Sequence, residues 1–188
     1  MTRIIAGTAG GRRLVTPPGD GTRPTSDRVR EAVFSTVEST LGSLAGAAFL
    51  DLYAGSGAVG LEAMSRGAAR ALLVEHDRRV VKVARDNVAT LGFGEVTVSG
   101  GRVERVVRSA PPGGAGFDAV FLDPPYPLDN DAVVAVLSDL CDHGWLNPDA
   151  LVVVERSSRT PDLAWPPGYV ALRARRYGET HVWYGRAS

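Results

Sequence analysis

Across 188 residues the sequence carries one cysteine, one lysine and three histidines. A lone Cys141 excludes an intramolecular disulfide and reads as a half-buried structural thiol. Without a cluster of His, Cys, Asp and Glu, no metal site is expected. No stretch approaches the roughly 18 consecutive apolar residues of a membrane helix. The start, Met1-Thr2-Arg3-Ile4-Ile5-Ala6-Gly7, lacks the apolar centre of a signal peptide. A cytoplasmic protein with no membrane partner is therefore expected. The near absence of lysine, with only Lys82, leaves arginine as the cation; this is read as genome composition, although arginine also suits bidentate phosphate contacts.

What is present suits one ordinary globular core, with 44% hydrophobic and 22% charged residues. The net charge of zero hides an asymmetry: residues 1–30 sum to +4, residues 151–188 to +3, and the middle to −7. An acidic centre suits a cationic cofactor, and basic ends suit phosphate.

Near the N-terminus, Arg3-Ile4-Ile5 and Leu14-Val15 are separated by Gly7, Gly10 and Gly11, which predicts a small hairpin. Pro17-Pro18-Gly19-Asp20-Gly21 breaks the chain. A capped helix should start at Thr25 or Ser26, carry Val29, Val33, Phe34 and Val37 on its inner face, and stop at Gly42. Strand and helix then alternate. Strands are predicted at Ala48–Leu52, Ala71–Glu75, Val96–Val98, Phe117–Leu122 and Ala150–Glu155. The intervening helices fall at Gly57–Arg66, Asp77–Leu91, Arg102–Arg108 and Asn130–Cys141, with Val80, Val81, Val83, Ala84, Val88 and Leu91 as the second one's candidate buried face. Continuous apolar strands in this alternation predict an α/β, doubly wound, mostly parallel sheet. Tyr169–Arg176 and Thr180–Gly185 add a closing antiparallel hairpin and bring the strands to seven. Residues 1–22 form a separate small β element, and 23–188 the main domain.

Gly55-Ser56-Gly57-Ala58-Val59-Gly60 matches G-x-G-x-x-G behind a strand, a pattern shared with dinucleotide-binding enzymes and with plain turns. Here the glycines follow the strand end by three residues, as Asp51-Leu52-Tyr53-Ala54-Gly55. A carboxylate is thereby left at the strand terminus, where the ammonium of S-adenosylmethionine can sit. This spacing favours a methyltransferase over a dehydrogenase. Glu75, at the end of the next strand, has two oxygens for a ribose diol; His76 beside it can pack on an adenine. The third strand ends in Ser99-Gly100-Gly101-Arg102, with no acid where many methyltransferases hold the adenine amino group. Gly101 and Arg102 are the candidates for that contact.

Asp123-Pro124-Pro125-Tyr126 follows the fourth strand. An exocyclic amine is a poor nucleophile because its lone pair is delocalised into the ring. Hydrogen bonds from its N–H groups to the Asp123 carboxylate and the Pro124 carbonyl favour a pyramidal nitrogen whose lone pair can meet a methyl group. Pro125 stiffens the platform, and Tyr126 offers an aromatic face to an unstacked base. The residues thus predict amino-group methylation of a nucleic-acid base and leave open which base.

The chain resembles the bacterial methyltransferases of guanine N2 in 16S ribosomal RNA, of the class I S-adenosylmethionine-dependent type. The likeness runs through Arg3-Ile4-Ile5-Ala6-Gly7, Gly11-Arg12-Arg13-Leu14, Arg23-Pro24-Thr25-Ser26-Asp27-Arg28-Val29-Arg30-Glu31, Asp51 to Gly57, Phe121 to Tyr126 and Arg176-Tyr177-Gly178-Glu179-Thr180. It implies a Rossmann-like class I fold, S-adenosylmethionine as cofactor, and 16S rRNA in the small ribosomal subunit or its assembly intermediate as substrate. It also implies guanine-966, the family's usual target, as the methylated nucleotide. The resemblance further implies RNA contacts from Arg3, Arg12 and Arg13, and places Arg23 and Thr25 near the cofactor or target base. A monomer is expected. The alternatives are an adenine-N6 or cytosine-N4 methyltransferase acting on DNA or other RNA, and a non-catalytic RNA-binding assembly factor.

Overall fold

The computed structural model describes residues 2–17 and 26–188. The turn at Pro18-Gly19-Asp20-Gly21 and the candidate residues Arg23 and Thr25 lie outside the described residues. Two short strands, β1 (Thr2–Arg3) and β2 (Arg13–Leu14), pair antiparallel. Helix α1 (Asp27–Leu41) follows, its N-cap Ser26 accepting from the Val29 N–H at 3.3 Å and its C-cap Gly42 at φ 79. The alternating part runs β3 (Ala48–Leu52), α2 (Ala58–Ser65), β4 (Arg70–Glu75), α3 (Arg78–Leu91), β5 (Val96–Gly100), α4 (Val103–Val106), β6 (Phe117–Leu122), α5 (Asn130–Asp142) and β7 (Leu146–Ser157). Strands β8 (Tyr169–Tyr177) and β9 (Thr180–Ala187) close the chain.

The seven-stranded sheet has the order β5-β4-β3-β6-β7-β9-β8. Strands β3 to β7 are mutually parallel, and β9 and β8 run antiparallel at the end. The expected doubly wound α/β sheet with a terminal antiparallel pair is thus present. The central strands β3, β4 and β6 are largely apolar because both faces are covered, whereas the edge strand β8 is exposed along most of its length. On one side Val33, Phe34 and Val37 of α1 and Ala63 of α2 pack on Phe49, Phe121 and Val153. On the other, Val133, Val136 and Leu140 of α5 pack with Trp145 on Leu50, Val120 and Val152. The chain leaves β3 towards β4 and β5, then returns to β6 on β3's other side, so the carboxyl ends of β3 and β6 bound the crevice where this class of fold binds ligands.

Three local readings differ from the structure. Strand β7 starts at Leu146, since that residue already pairs with Phe117 before the ladder resumes at Ala119 and Leu151 across an irregularity containing Asp149 at φ 62. Helix α4 is one turn, with Arg102 as its cap, shorter than the predicted Arg102–Arg108. On α3 the buried stripe is Val81, Ala84, Asn87 and Leu91. Val80, Val83 and Val88 are half-buried, because Asn87 takes the central position to hold the N-terminal segment.

The N-terminal element shares a core with the main domain: Ile4, Ala9 and Leu14 are buried against Leu61 of α2 and Leu91 of α3. The fully buried Glu62 carboxylate accepts from the backbone N–H groups of Ile5 at 2.7 Å and Ala6 at 3.0 Å, and from Arg66 Nε at 2.8 Å. Asn87 accepts from the Val15 N–H and donates to the carbonyls of Val15 and Ser56. The element is thereby tied to the helix and loop that follow the glycine motif.

Candidate active site

The loop after β3 owes its shape to three contacts. Asp51, 1% exposed, points back under the motif, and its Oδ2 accepts from the Gly60 N–H at 2.8 Å. Gly57 adopts φ 83, and a Cβ there would stand 2.8 Å from Leu73 Cδ1, so the turn into α2 needs glycine. Tyr53 takes φ 60, a left-handed conformation costly for an aromatic residue. Its hydroxyl donates to Glu104 Oε1 at 2.7 Å, which pins the loop to α4. Burial, and next the hydrogen bond to Glu104, push the Tyr53 pKa up, so it stays a phenol.

Glu75, at the end of β4, accepts from the Gly55 N–H at 3.0 Å through one oxygen and from the N–H groups of His76 and Asp77 through the other. His76 Nδ1 lies 3.2 Å from the same carboxylate. The Glu75 carbonyl accepts from the Gly101 N–H at 2.9 Å, which joins the ends of β4 and β5. These residues open onto a cleft of about 630 Å³, lined by Tyr53, Glu75, His76, Gly101, Arg102 and Pro125 among others. That volume falls within the usual range for small-molecule and cofactor sites. Of the cofactor candidates, Gly55, Ser56 and Gly57 form the loop beside the cleft, Asp51 lies near the end of β3 beneath it, and the others line the cleft.

Asp123 is half-buried one residue beyond β6, its N–H directed at the Leu52 carbonyl at 3.4 Å. Burial raises its pKa well above the ordinary carboxylate range; Glu155 and Asp51 raise it further, and Arg156 opposes them. Burial also raises Asp51 to about 7, with Glu75 adding to it and the Gly60 N–H opposing. Carboxyls held this way at one sheet edge ionise readily when a cation enters. The donor set therefore fits a nucleoside that carries an ammonium and a sulfonium. Pro124 is buried, Pro125 is exposed, and Tyr126 is 71% exposed, its ring free to receive a planar group.

A model of the family described as conserved hypothetical protein 95 matches residues 2–186. The chain belongs to this family. It is 40% identical over 153 residues to ribosomal RNA small subunit methyltransferase D of Escherichia coli, covering 81% of this chain and 73% of that protein. With the protein of the same name from Haemophilus influenzae it shares 34% over 182 residues, or 94% and 89% of the two chains. The solved structure of the Escherichia coli protein yhhF superposes with a TM-score of 0.86 at 32% identity, covering 100% of this chain and 98% of that one. The fold is that of the class I methyltransferases.

Within this family member the N-terminal arginines have separate surroundings. Arg3 is exposed and pairs with Asp27 at 3.1 Å. Arg12 is exposed but donates to the Thr90 and Leu91 carbonyls, satisfying the C-terminal end of α3. Arg13 is exposed on β2. Two site residues escaped the sequence reading. Glu104 supplies an acid on the cleft wall three residues beyond Gly101; its signal was an acidic residue in the first turn of a predicted helix. Arg156, 7% exposed, ends an apolar strand and donates to the Leu128 carbonyl beyond the Asp123 motif. Its Nε and Nη1 have no hydrogen-bond partner among the described residues, and its charge interacts with Asp123.

Proposed function

We propose that this chain transfers the methyl group of S-adenosylmethionine to the exocyclic N2 of a guanine in 16S rRNA, within the small ribosomal subunit or its assembly intermediate. The carrying observation is that Glu75 and Pro125 line one cleft at the sheet's switch point, with Asp51 buried behind the glycine loop and close enough to Asp123 for their charges to interact. Support for ribosomal RNA comes from the names of the family relatives, and the guanine-N2 choice rests on the resemblance of the N-terminal segments. On this reading the protein acts as a monomer in the cytoplasm, with residues 1–22 contributing RNA contacts and 23–188 the catalytic domain. Among the described residues no helix is long and apolar enough to cross a membrane.

The cofactor, when bound, supplies an electrophilic methyl group. Asp51 would hold its ammonium and Glu75 its ribose hydroxyls, and His76, Gly101 and Arg102 would border the adenine. Asp123 and the Pro124 carbonyl accept the N–H groups of the target amine, turning its lone pair towards the methyl group, while Tyr126 stacks on the base. Rate enhancement then comes from position and from charge placed in advance. As the carbon–nitrogen bond forms, the methyl–sulfur bond would break and leave the sulfonium as a neutral thioether, and the methylated amine would then lose its proton to solvent.

Purified protein with under-modified small subunits should yield N2-methylguanosine on mass analysis of hydrolysed rRNA. Asp123→Ala should lower the rate by about 100-fold or more, with an unchanged circular dichroism spectrum and retained cofactor binding. Methyladenosine or methylcytidine as product would move the assignment to another amine. Cofactor binding without any methylated product would indicate an assembly factor.

A further inference from the structure

The wall of the cleft beyond Gly101 carries three arginines, Arg102, Arg105 and Arg108, all exposed and all lining the cavity. Their spacing of three residues brings them to one side of the single-turn α4 and its extension. Of the three, Arg108 has a carboxylate partner, Asp139 at 3.5 Å, with the arginine side chain 70% exposed. Arg102 and Arg105 have no ion pair among the described residues.

Cations at this place conflict with the cleft's own ligand. On the reading above, the cofactor is cationic, and the inner surface meets it with Glu75 and Glu104, with Asp51 buried behind the loop. Arg102 can border the uncharged adenine, but Arg105 and Arg108 add cations that repel such a ligand and are poor company for its sulfonium. They suit a polyanion that crosses the mouth of the cleft. Pro125 lies on the cleft wall, and the next residue, Tyr126, is 71% exposed, so a base stacked on that ring would bring its backbone across the opening. Arginine suits the role because its planar fork binds phosphate oxygens in pairs and stays charged at any working pH.

We propose that Arg105 and Arg108, with Arg102, form a phosphate-binding rim that docks the RNA strand flanking the target nucleotide across the cofactor cleft. This rests on the rRNA methyltransferase reading. It adds a contact surface on the main domain, away from the N-terminal element. Each phosphate contact contributes through counterion release, so the affinity for RNA depends on salt in proportion to the contacts made.

The test uses the full-length protein with small ribosomal subunits and compares wild type with Arg105→Glu, Arg108→Glu and the double variant, leaving Arg102 intact. Cofactor affinity is measured separately by titration. The expected result is a KM for subunits raised about 10-fold or more in the double variant, a shallower salt slope by about one unit per arginine, and kcat and cofactor affinity within twofold of wild type. Unchanged KM and slope would overturn the proposal, as would a cofactor affinity altered as much as KM, since the arginines would then serve the cofactor. Arg105→Lys should restore most of the salt slope. If wild type itself transfers no methyl group to RNA, the underlying reading fails, a result distinct from active wild type with indifferent variants.

Discussion

Burial governs the behaviour of the Asp51 side chain. Its carboxyl is buried, which pushes its pKa up to about 7, against an ordinary value near 4. The sign follows from linkage. The folded state binds this proton more tightly than the unfolded state, so the contribution of Asp51 to stability falls as pH rises from about 4 through 7. Above that range the ionised, buried group costs up to about 4 kcal/mol. Asp51→Asn keeps an oxygen for the Gly60 N–H and removes the charge. The variant should be more stable than wild type to urea at pH 8 by a margin that shrinks at pH 5, and should bind S-adenosylmethionine at least about 10-fold more weakly. An equal margin at both pH values would refute the assignment. The position of Asp51 was legible in the sequence from its strand-end spacing. Its burial and its proximity to Glu75 and Asp123 were not, because they depend on three strands lying side by side.

At the scale of elements, the joint between the N-terminal β pair and α2 carries the clearest energetic consequence. Glu62 is wholly buried and bonds to two backbone N–H groups and to Arg66, with Arg30 Nε 3.7 Å away. Glu62→Ala would leave those donors unsatisfied and two guanidinium groups short of a counter-charge, a loss of about 3–5 kcal/mol. Gly7 makes the same joint from the other side: at φ 80, a Cβ there would lie 1.8 Å from the Ser65 carbonyl oxygen. Thermal unfolding of Glu62→Ala should show a large fall in Tm, and amide exchange should quicken first at Ile5, Ala6 and Ala9. Loss of stability with residues 5–9 still protected would show that the anchor lies elsewhere. The sequence marked a hairpin here from its glycines and short apolar runs. It could not show the docking, since α2 is apolar nearly all round and buried from Val59 to Ser65, and the backbone partners of its one carboxylate lie 56 and 57 residues earlier in the chain.

For the molecule as a whole, charge and topology divide the work. The acidic middle of the chain supplies the carboxylates at the sheet edge, and arginines lie around it, so cofactor and RNA should respond differently to salt. Raising ionic strength should increase the KM for subunits steeply and change cofactor affinity little, because buried carboxylates are screened much less than exposed arginines. Parallel salt dependences would contradict this division. By itself, the sequence determined the element order, the parallel sheet with its antiparallel end, and the two motifs. Each of these is local: strand and helix periodicity, caps such as Ser26, and residue types at fixed spacing from a strand end. Only the tertiary structure decided that Glu104, from the turn after β5, holds Tyr53 from the loop after β3. It likewise set Arg156 against the Leu128 carbonyl beyond the Asp123 motif. The physical reason is that such contacts join residues from different strands at one sheet edge, and strand order, which sets that neighbourhood, is a product of the packed sheet.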